Sequence, residues 1–166
     1  MEYSPFELEI ERASGTHLLE TCRELGVAVV CYSPLGRGML TGAFTTKESI
    51  SGAGDARATH YPRFSEGNFE ANNKLVNQFK GFADKKGCTP SQLALVWLFK
   101  QGDDIFPIPG TKRIQCLEEN WGSLEIYLTD EEEREIRNFV ESIELSGYRS
   151  MPIGKTLAFA DTKEES

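Results

Sequence analysis

Residues 27–38 have the sequence VAVVCYSPLGRG, in which an apolar run ends abruptly at Tyr32. The continuous run at 27–32 is typical of a parallel strand covered on both faces, since half-exposed strands alternate apolar and polar residues. A serine, a proline and two glycines then surround Arg37. We therefore expect a buried strand followed by a tight loop, and α/β proteins bind their ligands in such loops at the carboxyl ends of parallel strands.

Short strands and helices alternate along the rest of the chain. Apolar spacing and capping signals predict strands at about residues 2–5 and 105–108, and helices at about 18–25, 75–87, 90–102, 113–121 and from 129 onward. The polar, glycine-containing stretch 41–68 is interpreted as a long surface loop, and residues 146–166 as an irregular tail. This alternation predicts an α/β fold with parallel strands.

Composition and charge exclude several classes of protein. The 166 residues are 39% hydrophobic and 27% charged, which suits one globular domain. A net charge of −8 disfavours general nucleic-acid binding, because that affinity depends on Lys and Arg neutralising phosphates. The sequence has no apolar run near the roughly 20 residues that cross a bilayer, no visible signal peptide and no CxxC pair among its cysteines. We expect a cytoplasmic protein that binds neither nucleic acid nor membrane.

A second glycine-containing turn, PGTKR at residues 109–113, follows the other buried strand that we expect. Lys112 and Arg113 would lie in the first turn of the next helix, where positive side chains oppose the positive end of the helix dipole. A bound anion would reverse this mismatch, because the backbone N–H groups and both side chains would attract it. The residues fit equally well the alternative that both side chains point into water.

The remaining candidate residues favour binding over catalysis. Tyr32 fits either a core aromatic or a flat ring on which a planar ligand stacks. Arg37 fits either a solvated cation or an anion contact, with glycines on both sides that let the backbone come close. His17 and His60 are interpreted as surface residues, and the sequence contains neither an HExxH motif nor a recognisable Ser/His/Asp set. We expect no catalytic residue and no metal site in this chain.

Several segments together resemble the aldo-keto reductases, in particular the branch of pyridoxal-reductase-like and auxin-induced-type enzymes. The segments are EYSPFELEIE, LLETCRELGVAVVCYSPLGRGMLTG, PRFSEGNFEANNKLV, TPSQLALVWLF, PIPGTKRIQCLEEN and LTDEEEREI. The likeness extends from residue 2 to about residue 160 in the family's order and spacing. It implies a partial (β/α)8 TIM barrel, with about three β/α units in residues 1–166 and a C-terminal tail at 146–166. It also implies NADPH-dependent reduction of aldehydes and ketones.

The resemblance also implies which residues contact NADPH. Tyr32 corresponds to the aromatic residue that stacks on the nicotinamide ring. The loop along the pyrophosphate corresponds to Ser33, Pro34, Leu35, Gly36 and Arg37. The site of the adenosine 2′-phosphate corresponds to Gly110, Thr111, Lys112 and Arg113, and the adenine contacts to Glu119 and Asn120. Cys116 stands where many relatives have Arg or Gln, which predicts weaker binding of the 2′-phosphate.

The catalytic Asp, Tyr, Lys and His of the family come from the first four strands of the barrel, whereas this chain resembles the barrel from its sixth strand onward. None of Tyr3, Tyr61, Tyr127 and Tyr148 has the catalytic context. We therefore expect the chain to supply the cofactor-binding half, to act on a small carbonyl substrate only with the missing half, and to self-associate through open barrel edges. The alternatives are a non-catalytic NADP-binding regulatory relative, like the potassium-channel β-subunits, and an inactive truncated gene product.

Overall fold

Two short parallel strands pair in the computed structural model, which describes residues 1–13, 17–52 and 54–149. Strand β1 spans Val29–Cys31 and β2 spans Ile105–Pro107. The backbone at residues 1–2 lies along the other edge of β1, where Glu2 forms a parallel bridge with Tyr32. Three extended segments therefore run in parallel in chain order, and helices connect each to the next, as the α/β pattern predicts.

The described residues form six α-helices besides this small sheet. They are α1 (Leu18–Glu24), α2 (Arg57–His60), α3 (Asn68–Lys86), α4 (Pro90–Phe99), α5 (Ile114–Gly122) and α6 (Asp130–Ser142). Short 3₁₀ helices span Gly36–Thr41, Lys47–Ile50, Pro62–Phe64 and Ser123–Glu125, and a π-helical turn spans Glu9–Ala13. No helix in the described ranges is long and apolar enough to cross a membrane.

Capping boxes form at the starts of α4 and α6, close to where the capping signals predict these helices to begin. The Thr89 hydroxyl accepts a hydrogen bond from the Gln92 backbone N–H at 3.2 Å, and the Gln92 side chain accepts one from the Thr89 N–H at 3.1 Å. Thr129 and Glu132 repeat this reciprocal pair at 3.2 and 2.9 Å. These local signals fix the starts of α4 and α6, because each satisfies two backbone N–H groups that a helix leaves unpaired.

The core lies on one face of the sheet. Helix α4 is buried from residue 93 to residue 98, and its Trp97 packs against the ring of Tyr3. On this side of the strands, Val29, Cys31 and Ile105 are buried. The other face carries four exposed apolar side chains, those of Val30, Tyr32, Phe106 and Ile108. The prediction that β1 is covered on both faces is therefore wrong for the part of the chain that the structure describes. An apolar run does not show which segments cover each face of a strand.

Several element boundaries also differ from the sequence predictions. Strand β1 begins at Val29, because the Val27 N–H still bonds to the carbonyl of Cys22 at the end of α1. The described residues of the stretch 41–68 lie mostly at the surface, as predicted, but they include single-turn helices too short to show periodicity, and Ile50 and Phe64 are buried there. Helix α5 begins at Ile114, so the residues at 112 and 113 precede its first turn. The predicted tail has no regular element at 146–149, and its remainder, 150–166, lies outside the described residues.

Candidate functional site

A cleft of about 660 Å³ opens beside the carboxyl ends of both strands. Its walls come from the loop after β1, the stretch around Phe44 and Arg57, the loop after β2, and one side of α5. Ser91, in the first turn of α4, completes it. The volume lies within the range of roughly 300–1,000 Å³ that is usual for small-molecule and cofactor sites.

The loop after β1 follows a tightly turned path. Four of its residues have left-handed backbone conformations, with φ of 51° at Ser33, 57° at Gly36, 56° at Arg37 and 91° at Gly38. The Gly36 N–H donates to the Ser33 carbonyl at 2.8 Å, and the Gly38 N–H donates to the Leu35 carbonyl at 3.0 Å. Left-handed conformations at non-glycine residues such as Ser33 and Arg37 cost of order 1–3 kcal/mol and concentrate at functional sites, so this loop makes the cleft a candidate site.

Gly38 is required by a close approach as well as by its φ angle. A Cβ atom at this position would lie 2.7 Å from Cε2 of Phe44 and 3.2 Å from Nη1 of Arg57. The guanidinium carbon of Arg57 in turn lies 4.0 Å from the centroid of the Phe44 ring. The absence of a side chain at Gly38 therefore allows an arginine from a distant stretch to stack against the wall of the cleft.

Three arginines line the cleft: Arg37, Arg57 and Arg113. Arg37 stacks 4.3 Å from the centroid of the Tyr61 ring, and its buried Nε has no hydrogen-bond partner among the described residues. Arg57 is held by Asp55 at 2.6 Å, and hydrogen bonds from Arg57 lower the pKa of Asp55 below its usual value. The cleft therefore presents three guanidinium groups, one of them paired with Asp55, in a chain whose net charge is −8.

The opposite wall of the cleft is formed by the turn before α5 and by the helix itself. The Thr111 hydroxyl accepts a hydrogen bond from the Arg113 N–H at 3.1 Å, and Arg113 caps α5 without any side-chain hydrogen bond to the first turn. Glu119 accepts a hydrogen bond from the Thr89 hydroxyl at 2.6 Å, which ties α5 to the start of α4. An anion at this helix end would meet backbone N–H groups and a guanidinium group together.

The structure brings most of the predicted site residues together. Those that line the cleft are Ser33, Pro34, Leu35, Arg37, Gly110, Thr111, Arg113, Glu119 and Asn120. Tyr32, Gly36 and Lys112 do not line it: Tyr32 lies next to Ser33 on the open face of the sheet, Gly36 shapes the loop, and Lys112 is exposed. The contact of each residue with a cofactor stays a prediction.

The sequence does not indicate several residues that line this cleft, among them Phe44 and Arg57. Both fall within the stretch 41–68, whose lack of periodicity is typical of a surface loop. The pairing of Arg57 with Asp55, two residues earlier, is the only local signal, and such pairs are common at protein surfaces. No group of His, Cys, Asp and Glu suitable for a metal ion occurs within residues 1–13, 17–52 and 54–149.

Comparison with known proteins agrees with the resemblance seen in the sequence. The model of the Aldo/keto reductase family matches residues 1–141. The chain belongs to this family. It is 45% identical over 162 residues to the aldo-keto reductase yakc [NADP(+)] of Schizosaccharomyces pombe, covering 98% of this chain and 47% of that protein. It is also 45% identical over 157 residues to the aldo-keto reductase str7 of Strobilurus tenacellus, covering 95% of this chain and 46% of that protein. This aldo-keto reductase chain thus spans about half the length of the curated relatives it matches.

Solved structures show the same relationship at the level of the fold. The thermostable aldo-keto reductase Tm1743 matches with a TM-score of 0.56 and 27% identity, over 83% of this chain and 38% of that one. The glycerol dehydrogenase AKR11B4 of Gluconobacter oxydans matches with a TM-score of 0.69 over 84% of this chain and 40% of that one. At 24% identity, this match shows the fold alone. The chain therefore has the fold of part of an aldo-keto reductase (β/α)8 barrel, as predicted. The exposed face of its sheet accords with this, since a barrel interior needs strands on all sides to be covered.

Proposed function

We propose that this chain binds NADPH in the cleft and forms the cofactor-binding part of an NADPH-dependent reductase of aldehydes and ketones. One observation carries the proposal: Arg37, Arg57 and Arg113 line a single cleft at the ends of two parallel strands. NADPH carries a pyrophosphate and a separate 2′-phosphate, so two sets of cations along one cleft match its charge distribution. The relative yakc, whose name includes NADP(+), supports the choice of cofactor.

The donor groups of the cleft fit the two phosphate sites. The buried Nε of Arg37 has no acceptor among the described residues, and a pyrophosphate oxygen along residues 33–37 would supply one. At the other end, Thr111 and Arg113 at the uncapped start of α5 would hold the 2′-phosphate, with Lys112 adding charge from the exposed turn. Tyr32 would hold the nicotinamide ring, and Glu119 and Asn120 would lie beside the adenine.

The chain's own role is to bind and orient the cofactor. When bound, NADPH supplies a hydride to a carbonyl carbon. The reaction also needs a proton donor. By the resemblance, none of Tyr3, Tyr61, Tyr127 and Tyr148 has the catalytic context, and Tyr3 is fully buried. Burial and the charge of Glu11 raise the pKa of Tyr3 well above its usual value. We therefore propose that catalysis requires further barrel units that carry the proton donor and complete the substrate site.

The proposal is tested by calorimetric titration of the 166-residue chain with NADPH and NADH. We expect NADPH to bind more tightly, and Arg113→Ala to weaken NADPH binding while leaving NADH binding unchanged. Arg134→Ala is the matched control, because Arg134 lies exposed on α6 and pairs only with Glu131 among the ion pairs of the described residues. Equal affinities of the unaltered chain for NADPH and NADH would contradict the assignment of the 2′-phosphate site.

The exposed apolar surface fits a chain that needs a partner. Besides the open sheet face, α5 and the turn after it expose Ile114, Leu117, Trp121, Leu124 and Tyr127. Apolar patches of this kind mark interaction surfaces. We propose that further barrel units, or a second copy of the chain, cover them. All four cysteines are free thiols, which fits the reducing cytoplasm that we propose as the location.

A further inference from the structure

The hydroxyl group of Tyr32 is held by a buried arginine that lies far away in the sequence. Arg149 is only 8% exposed, and its Nη1 donates a hydrogen bond to the Tyr32 hydroxyl at 3.2 Å. The same nitrogen donates to Glu2 at 2.9 Å, while Nε of Arg149 donates to Glu9 at 2.8 Å. One guanidinium group therefore joins the segment before α1, the end of β1 and the segment after α6.

Several other contacts fix this guanidinium group in place. Glu2, which contacts Arg149, also forms the backbone bridge with Tyr32, so these two partners of the arginine belong to neighbouring extended segments. The segment that carries Arg149 is held by Asn72, whose side chain both donates to and accepts from the backbone of Ser146 at 2.9 Å. The position of Arg149 is thus determined independently of Tyr32.

The ring of Tyr32 would otherwise be loosely held. The side chain lies on the open face of the sheet and is 41% exposed, and it directly precedes Ser33 of the cleft. A partly exposed side chain that becomes ordered on ligand binding loses conformational entropy, and this loss weakens affinity. A hydrogen bond that orders the ring beforehand removes that loss.

We propose that Arg149 is a positioning residue for the nicotinamide end of the cleft: it holds the Tyr32 hydroxyl and so fixes the ring on which nicotinamide stacks. The inference rests on the proposed binding of NADPH. The affinity for the nicotinamide half of the cofactor should then depend on the contact between Tyr32 and the segment after α6. The adenosine half, bound at the start of α5, should not depend on that contact.

The variant Tyr32→Phe tests this directly, because it keeps the ring and removes only the hydroxyl that accepts from Arg149. Calorimetry on the full chain compares NADPH with adenosine 2′,5′-bisphosphate, which has the 2′-phosphate but no nicotinamide. We expect NADPH binding to weaken about twofold to tenfold, the cost of ordering one side chain on binding. Binding of the bisphosphate should be unchanged.

A second variant separates positioning from a merely structural role. Arg149→Lys retains a positive charge beside Glu2 and Glu9 but presents a different donor geometry to Tyr32. Introduced alone, Arg149→Lys should weaken the binding of NADPH relative to that of the bisphosphate. Introduced into the Tyr32→Phe variant, it should leave the ratio of the two affinities unchanged. If Arg149 only stabilised the fold, Arg149→Lys would instead lower thermal stability and weaken the binding of both ligands equally. That result would overturn the assignment.

The inference and the proposed function fail in different ways. If the unaltered chain binds both ligands, and neither variant changes their ratio, the positioning role of Arg149 is refuted while the cofactor site stands. If the unaltered chain binds neither NADPH nor the bisphosphate, the proposed function is refuted and this inference with it.

Discussion

Replacing Gly38 with alanine should disturb the cleft and destabilise the fold. The φ angle of 91° is unfavourable for an L-residue, which costs roughly 1–2 kcal/mol. The added Cβ would lie 2.7 Å from the Phe44 ring and 3.2 Å from Nη1 of Arg57. Displacing this stacked pair adds a loss of about 0.5–1 kcal/mol. We therefore expect Gly38→Ala to lower the free energy of unfolding by about 1.5–3 kcal/mol.

Thermal unfolding followed by circular dichroism measures this effect. For a chain of this length, each 1 kcal/mol lowers Tm by about 2–4 °C, so we expect a decrease of about 3–12 °C. The matched control is Gly52→Ala, because a Cβ atom added at Gly52 would meet no other atom within 4 Å and the residue has no left-handed φ angle. Calorimetric titration should also show weaker NADPH binding by Gly38→Ala, since Arg57 would move. Equal Tm values for the two variants would refute the role assigned to Gly38.

Three further predictions concern the phosphate site, a helix cap and a surface ion pair. Cys116→Arg adds a cation to the cleft wall, so calorimetry should show NADPH binding about threefold to tenfold tighter, with NADH binding unchanged; an equal gain for both cofactors would contradict a 2′-phosphate site there. Thr129→Ala removes the α6 cap and should cost about 1 kcal/mol in urea unfolding, whereas Thr129→Ser should keep most of the stability. Hydrogen bonds from Arg23 lower the pKa of Asp104 below its usual 3.8, so this pair stabilises the fold above that pH and loses its effect as pH falls through the lowered pKa. The free energy of unfolding of Asp104→Asn should therefore fall less steeply below about pH 4 than that of the unaltered chain. Identical profiles of stability against pH would contradict the role of this pair.

Local chemistry explains which parts of the fold could be predicted from the sequence. The boxes at Thr89 and Thr129 involve residues only three positions apart, so the sequence alone specifies both helix starts. The strand at Val29–Cys31 and its partner follow from short apolar runs. The single-turn helices within 41–68 could not be predicted, because one turn gives no periodicity.

The site was predictable where it follows a strand and unpredictable where it depends on contacts between distant residues. Ser33 and Arg113 lie in turns directly after strands, and both line the cleft. Arg57 enters the same cleft from 20 positions beyond Arg37, whose carbonyl accepts its hydrogen bond at 3.2 Å. The contact between Arg149 and Tyr32 joins residues 117 positions apart. No local pattern specifies such a pair, since it exists only once the chain has folded.

Hydrogen–deuterium exchange of the 166-residue chain, measured with and without NADPH, tests whether the cofactor occupies this cleft. We expect slower exchange in two separate segments, the loop at 33–41 and the stretch 110–120, because the cofactor should contact both walls of the cleft. Helix α6 does not line the cleft and serves as the internal reference. NADH should protect the stretch 110–120 less than NADPH does. Unchanged exchange in both segments, or protection confined to α6, would contradict the assignment of this cleft as the NADPH site.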